Sequence, residues 1–211
     1  MYLTEERKNR LYHVASNRQH DLAVVLENVH DPHNIGAVIR SCDAVGISDV
    51  YIVYTESKLQ QRGIEVGKKS SSGVRKWINL SYFTSLEECF SLVKRKYERI
   101  YGTIVDDSSK DLYSMNFASS CAIVFGNEHD GISHEAKEYL TDTIVIPQFG
   151  FVRSLNISVA CAVTLFEVMR QRRMAGRYNR VIEEGSADHK YFNALMEKDK
   201  SIKMRGKIQS S

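Results

Sequence analysis

The chain of 211 residues has the length and composition of one globular domain with short extensions. Its 43% hydrophobic and 26% charged residues exclude a wholly disordered chain, and its formal net charge of +3 is small. No apolar stretch reaches the ~20 residues of a membrane span, and the charged N-terminus has no signal-peptide core, so a cytoplasmic protein is expected. Four widely spaced cysteines without a CxxC pair predict buried free thiols.

Apolar periodicity predicts strands that alternate with helices along the chain. Strands are predicted at residues 22–26, 50–54, 77–80, 99–105, 121–125 and 143–146. Helices are predicted at residues 4–18, 35–45, 84–97, 133–140, 156–173 and 187–198. This alternation predicts an α/β fold with a mostly parallel sheet and helices on both faces. Because helix 156–169 is apolar on most of its surface, it is either deeply buried or shared with a second subunit, and we favour a dimer.

The charges are distributed unevenly along the chain. Residues 106–142 contain eight acidic and two basic side chains. Basic residues outnumber acidic ones in the segments 58–76, 167–180 and 198–207. Basic segments separated from an acidic one predict a face that binds a polyanion such as a nucleic acid, with solvated helix surfaces as the alternative.

Two common kinds of site find no support in the sequence. There is no GxGxxG motif, so a dinucleotide-binding site is not predicted. The pairs His30 with His33 and His129 with His134 lack the helical spacing and the third ligand of a metal site. No metal is therefore expected.

Three segments carry polar residues that packing alone does not explain. Residues 27–40 (ENVHDPHNIGAVIR) lead from a strand into a helix that contains Arg40, whose charge is costly among apolar residues unless it is paired or functional. Residues 124–133 (VFGNEHDGIS) follow a strand, at the edge of the sheet where α/β proteins bind ligands. Residues 144–158 (IVIPQFGFVRSLNIS) contain a strand, an irregular loop and a helix start. Taken singly, the polar residues also have a structural explanation, as helix N-caps and turn residues.

In this order the three segments resemble the motifs of the SPOUT superfamily, specifically the TrmH-type RNA 2′-O-ribose methyltransferases. The pattern IPxxGxxxSLNxS at residues 146–158 is highly specific, and GNExxGIS at residues 126–133 is fairly specific. The resemblance covers nearly the whole chain. It implies a C-terminal trefoil knot on the parallel sheet, with two subunits that pair through the knot region.

The resemblance also implies a cofactor and a reaction. The cofactor is S-adenosyl-L-methionine, in a pocket formed by Thr103, Gly126, Ile146 and Leu155. The reaction is methyl transfer to the ribose 2′-oxygen of a tRNA guanosine, at D-loop position 18. The alternatives are the same reaction on ribosomal RNA or on another tRNA nucleotide, and a catalytically silent RNA-binding module on the same scaffold.

The resemblance assigns the catalytic roles to five residues, and no metal is required. Arg40 contacts the target phosphate and stabilises the developing 2′-alkoxide. Asn34 orients Arg40 or the ribose, and Glu128 fixes its loop or a donor group. Ser154 and Asn156 complete the site.

The resemblance divides the chain into three parts. Residues 1–20 form a basic N-terminal helical extension, residues 21–174 the SPOUT methyltransferase domain, and residues 175–211 a basic C-terminal helical extension. We expect the two extensions and the basic segment 58–76 to bind tRNA phosphates.

Overall fold

The computed structural model describes residues 3–62 and 73–208, without the side chains of Arg62 and of residues 201–208. The predicted basic loop 58–76 therefore lies partly outside the described residues. Its described ends are helical, where the sequence predicted only a loop. They form helix α3 (Ser57–Arg62) and a 3₁₀ turn (Val74–Trp77).

Seven strands form one sheet, in which every strand pair is parallel among the described residues. The strands are β1 (Gln19–Glu27), β2 (Ile47–Val53), β3 (Asn79–Phe83), β4 (Arg99–Thr103), β5 (Lys110–Asp111), β6 (Cys121–Phe125) and β7 (Asp142–Val145). Their order across the sheet is β3-β2-β1-β6-β4-β7-β5. The predicted parallel α/β sheet is confirmed.

The remaining helices connect these strands or flank them. They are α1 (Glu5–Ser16), α2 (Pro32–Ala44), α4 (Leu86–Lys96), α5 (His134–Lys137), α6 (Ile157–Met174) and α7 (Ala187–Ile208). Hydrophobic residues are buried on both faces of the sheet. In β1, Leu22, Val24 and Leu26 belong to one buried cluster, and Ala23 and Val25 belong to the other. Because successive side chains of a strand point to opposite faces, helices must cover both faces, as predicted.

Helix capping corrects two predicted boundaries. Helix α2 begins at Pro32 rather than at residue 35, because the side chain of Asp31 accepts a hydrogen bond from the His33 amide and caps the helix. Helix α4 was predicted from Thr84, but its N-cap is Ser85, whose hydroxyl accepts from the Glu88 amide. A role as N-cap would have been a structural explanation for Asn34, but the cap of α2 is Asp31.

Strand β5 was missed because it has no hydrophobic pattern. It consists of Lys110 and Asp111, both exposed, and it pairs with β7 at the edge of the sheet. An exposed edge strand needs no apolar side chains, so its residues look like a polar loop in the sequence. Strand β5 therefore forms one edge of the sheet, and β7, which comes later in the chain, lies between β4 and β5.

The chain divides into two compact units, Gln19–Ala175 and Met1–Arg18 with Gly176–Ser211. In the second unit the two terminal segments contact each other. The Arg7 guanidinium lies 2.6 Å from the Asp199 carboxylate, and the rings of Tyr12 and Phe192 meet edge to face at 5.9 Å. Both terminal extensions therefore belong to one body.

Two further features concern the predictions from composition. All four cysteines are buried and free, as the sequence predicted, and burial raises the pKa of Cys89 to about 12. Within the part of the chain that the structure describes, no helix has the length and hydrophobicity required to cross a membrane.

Candidate active site

A cavity of about 580 Å³ lies at the carboxyl ends of β4, β6 and β7. This volume is within the range of small-molecule sites, and the carboxyl edge of a parallel sheet is where such sites form. All four residues predicted to bind the cofactor line it: Thr103, Gly126, Ile146 and Leu155. Thr103 ends β4 and donates its hydroxyl to the Val124 carbonyl at 3.1 Å, which joins two of the strands beneath the cavity.

The second-motif loop, residues 126–133, folds back on itself at Gly126. A Cβ atom at Gly126 would lie 2.0 Å from the backbone carbon of Gly131, a distance that no side chain tolerates. The backbone amides of Asn127 and Gly131 each donate a hydrogen bond to the carbonyl of the other residue. The Asn127 side chain accepts hydrogen bonds from the amides of His129 and Asp130. The loop therefore has a fixed shape where it forms the cavity wall.

A residue that the sequence analysis did not single out, Glu27, fixes the far end of the same loop. Its carboxylate, on a residue only 1% exposed, accepts a hydrogen bond of 2.9 Å from the Ser133 amide. Burial raises the pKa of Glu27, because the charged form loses its water. An acidic residue directly after the apolar run at residues 22–26 was the signal that could have identified it.

Three of the predicted catalytic residues form one hydrogen-bonded cluster, which we call the amide–carboxylate cluster: Asn34, Glu128 and Asn156. The Asn34 amide donates to Glu128 Oε1 at 2.7 Å, and the Asn156 amide donates to Asn34 Oδ1 at 3.3 Å. Glu128 and Asn156 line the cavity, whereas Asn34 lies behind them on α2. Residues from all three motifs thus meet at one place on the cavity wall.

Asn156 has a structural role as well. Its side chain caps α6 by accepting hydrogen bonds from the amide of Ser158 at 2.8 Å and from the Ser158 hydroxyl at 2.6 Å. The helix cap leaves the amide group of Asn156 free to reach Asn34. Ser154, two residues earlier, is exposed and lines the cavity.

Arg40 lies apart from this cluster. It is exposed on α2, does not line the cavity, and has no hydrogen bond or ion pair to any described residue. Six residues of helix separate it from Asn34, which places it about 9 Å along the axis and roughly 120° around it. Its side chain faces solvent, so its charge does not carry the cost that the apolar residues of the helix would impose on a buried one.

Four charged residues of the cavity were not predicted: Asp106, Asp130, Lys137 and Arg153. Asp106 lies just beyond the carboxyl end of β4, a position that could have suggested it. The hydroxyl and amide of Ser108 both donate to Asp106 Oδ1, and these hydrogen bonds lower the pKa of that carboxyl. Asp106 therefore places a negative charge in the cavity at neutral pH.

The SpoU rRNA Methylase family matches residues 21–166. The chain belongs to this family. Its sequence is 40% identical over 177 residues to the tRNA (guanosine(18)-2′-O)-methyltransferase of Thermus thermophilus, which covers 84% of this chain and 89% of that protein. The corresponding enzyme of Escherichia coli is 33% identical over 174 residues, covering 82% of this chain and 74% of that protein.

A solved structure supports the same relationship. The TrmH/SpoU tRNA modifying enzyme of A. aeolicus superimposes with a TM-score of 0.80 at 31% identity, covering 92% of this chain and 97% of that chain. The resemblance found in the sequence is confirmed. This SpoU methylase has the fold of a family whose members carry the trefoil knot and depend on S-adenosylmethionine.

The SpoU methylase uses two of its predicted phosphate-binding arginines for internal contacts. Arg172 is fully buried, and its guanidinium donates to the Asp21 carboxylate at 2.6 Å and to the carbonyls of Phe117 and Ser119. In the unit that contains both terminal segments, which we call the terminal unit, the Arg180 guanidinium lies 2.7 Å from the Asp188 carboxylate. Arg172 stabilises the core instead of contacting RNA.

No group of three metal-ligating side chains occurs among the residues that the structure describes.

Proposed function

We propose that this protein transfers a methyl group from S-adenosyl-L-methionine to the ribose 2′-oxygen of the guanosine at position 18 of tRNA. The observation that carries the proposal is the amide–carboxylate cluster on the wall of a cavity whose lining contains all four predicted cofactor residues. The tRNA (guanosine(18)-2′-O)-methyltransferases to which the chain is similar support the choice of substrate.

The cavity suits an adenosine-containing cofactor. Ile146 and Leu155 offer apolar surface to an adenine ring, and the missing side chain of Gly126 allows close approach to the backbone. Asp106 places a negative charge in the same cavity, which complements a cationic sulfonium. When bound, S-adenosylmethionine supplies an electrophilic methyl group.

The protein's own residues act on the ribose. A ribose hydroxyl is a weak nucleophile until it loses its proton. The protein therefore has to orient the hydroxyl and stabilise the negative charge that develops on its oxygen. Glu128 is oriented by the Asn34 amide, and Asn34 is oriented in turn by Asn156. We infer that Glu128, Ser154 and Asn156 position the ribose and that Arg40 stabilises the 2′-alkoxide, while the 2′-hydroxyl proton passes to solvent.

Within its own chain Arg40 does not line the cavity, and its side chain is exposed on α2. We infer that the protein is a homodimer and that the partner subunit's Arg40 reaches the cavity. The α6 helix supports this inference, because Val159 and Phe166 expose nearly half their surface at a helical spacing of seven residues. Helix α2, which carries Arg40, packs against α6, so a twofold interface on α6 would also include α2.

The terminal unit provides cations for the RNA backbone. Lys8 and Arg10 are exposed on α1, and their side chains have no hydrogen bond or ion pair to any described residue. We infer that these side chains bind tRNA phosphates, which should make binding depend strongly on salt. The expectation of a cytoplasmic protein stays a prediction.

A second candidate is the same reaction on ribosomal RNA, which the description of the matched family favours. The test is a methyl-transfer assay with labelled S-adenosylmethionine on unmodified tRNA transcripts and on a ribosomal RNA fragment. The matched control is the same tRNA with a 2′-deoxy nucleotide at position 18. We expect incorporation into the first tRNA alone. Labelling of the 2′-deoxy control or of the ribosomal fragment instead would overturn the choice of substrate.

A further inference from the structure

A second cavity, of about 430 Å³, lies at the carboxyl ends of β2 and β3. Its lining includes three aromatic side chains, Tyr54, Tyr82 and Phe83. A cationic side chain, Arg75, and an anionic one, Glu88, also line it. Neither the motifs of the sequence nor the proposed reaction uses any of these residues.

Side-chain hydrogen bonds hold this cavity in shape. The Gln60 amide donates to the carbonyls of Tyr54 at 2.7 Å and of Thr84 at 3.2 Å, which ties α3 to the ends of both strands. The Tyr54 hydroxyl is buried and donates to the Val29 carbonyl at 3.1 Å. Val29 belongs to the loop that leads to Asn34, so this cavity is bonded directly to the first motif.

We propose that this cavity, which we call the base pocket, binds a guanine base of the RNA substrate that neighbours the methylated nucleotide. The inference rests on the proposed function, because it requires an RNA substrate. Tyr82 is 42% exposed, and its side chain has no ring contact or hydrogen bond to a described residue, so its ring is available for stacking on a base.

Charge favours guanine over the other bases. The guanine edge carries the N1–H and N2–H donors, which a carboxylate such as Glu88 accepts. Its O6 and N7 atoms accept hydrogen bonds from a guanidinium such as that of Arg75. No other common base offers both a donor pair to an anion and an acceptor pair to a cation.

The position of the base pocket suits a neighbouring nucleotide. Strands β3 and β6 are three steps apart across the sheet, and a step of about 4.8 Å gives roughly 14 Å between their ends. A few nucleotides of a single strand cover this distance. Both cavities open at the same edge of the sheet, so one RNA strand could occupy both.

The experiment compares Tyr82→Ala and Glu88→Gln with a control, Tyr113→Ala, in the full-length protein. Tyr113 is also an exposed tyrosine, at 55%, and lines neither cavity. Glu88→Gln keeps the backbone amide that Ser85 caps. The readouts are KM for the tRNA transcript, Kd for RNA by fluorescence titration, cofactor affinity and Tm.

We expect Tyr82→Ala to raise KM and Kd for RNA roughly five- to hundredfold, with cofactor affinity and Tm unchanged. In the parent protein, inosine in place of one guanosine near position 18 should weaken binding severalfold, because inosine lacks the N2 amino group. Glu88→Gln should reduce that difference, because an amide has one acceptor oxygen where the carboxylate has two. Tyr113→Ala should behave as the parent.

RNA affinities within twofold of the parent for both variants would overturn the base pocket while leaving the methyl transfer intact. A parent protein that methylates no RNA would overturn the proposed function instead, and the RNA titration alone would then decide the pocket. Guanosine monophosphate that binds the parent as tightly as RNA, with RNA binding insensitive to Tyr82→Ala, would assign the pocket to a free nucleotide and overturn the inference.

Discussion

Asn34 uses both ends of its side-chain amide. It donates to Glu128 and accepts from Asn156, so one residue links the first motif to the second and the third. An amide side chain can do both, whereas a carboxylate has no donor and an alkyl group has neither. The sequence left open whether Asn34 was a helix cap, and the hydrogen bond of Asp31 to the His33 amide excludes that role.

At this position, Asn34→Asp should lower kcat by about 10- to 100-fold. The new carboxylate would face Glu128 and could no longer donate to it, so the cluster would lose its geometry. Cofactor affinity should stay unchanged, because Asn34 does not line the cavity. Steady-state kinetics and a cofactor titration measure the two effects. An unchanged kcat would show that the cluster does not orient the ribose.

Glu27 should make the free energy of unfolding depend on pH. Its pKa is raised above 4.5 in the folded protein, so the folded state retains a proton that the unfolded state has lost. The resulting stabilisation is complete below pH 4.5 and is lost as the pH rises through the folded pKa. Glu27→Gln should flatten this decline, because glutamine still accepts from the Ser133 amide but does not titrate. Urea unfolding at several pH values tests this. Parallel curves for both proteins would contradict it.

At the scale of the element, two loops shape the cavity in different ways. The second-motif loop depends on backbone contact at Gly126, where a Cβ would meet Gly131 and Ile132 within 2.2 Å. The third-motif loop is more open, because a Cβ at Gly150 would meet nothing within 4 Å. Two glycines of similar appearance in the sequence therefore have different structural requirements.

Gly126→Ala should reduce cofactor affinity by at least about tenfold, because the added methyl group must displace the cavity wall. Gly150→Ala is the matched control and should retain affinity near that of the parent. Calorimetric titration of both variants with S-adenosylmethionine measures the difference. Equal losses of affinity in the two variants would show that the close contact at Gly126 does not shape the pocket.

The C-terminal end of α6 depends on Arg172, whose guanidinium donates to Asp21, Phe117 and Ser119. Arg172→Met should lower the free energy of unfolding by about 3 kcal/mol, since it leaves buried acceptors without partners. The neighbouring Arg173 is exposed, so Arg173→Met is the control and should change stability little. Denaturant unfolding measures both. Comparable values for the two variants would contradict the structural role of Arg172.

At the scale of the whole molecule, Arg40 can act in the cavity of its own chain or in that of a partner subunit. The residue is exposed on the face of α2 away from Asn34, while α6 beside it exposes apolar side chains. A dimer that covers these side chains would bury hydrophobic surface, which favours association.

A mixture of two inactive variants tests this arrangement. Arg40→Ala and Asn156→Ala should each lack activity, but co-expressed subunits purified as a mixed dimer should regain part of the parent turnover. The reason is that one of the two sites then combines an intact Arg40 from one chain with an intact Asn156 from the other. A mixed dimer without activity would place Arg40 in the site of its own chain.

The sequence alone predicted the strands and helices of the sheet, because buried strands require continuous apolar runs and helices require their own period. It also named the three residues that form the amide–carboxylate cluster, but it missed Glu27 and Asp106 and it placed Arg40 in a site that Arg40 does not line. The three motifs together indicated the family, and the four cofactor residues named from that resemblance line one cavity. Polar elements such as β5 were missed because exposed side chains obey no hydrophobic pattern.

The tertiary structure decided what depends on contacts between distant segments. The hydrogen bond from Asn34 to Glu128 joins residues 94 positions apart, and no local pattern specifies it. Likewise, the sequence shows a run of arginines near α6, but only packing distinguishes Arg172, which is buried and satisfied, from Arg173, which faces solvent. Local periodicity records which face of an element is buried, whereas the partner of each polar group depends on where the chain returns in space.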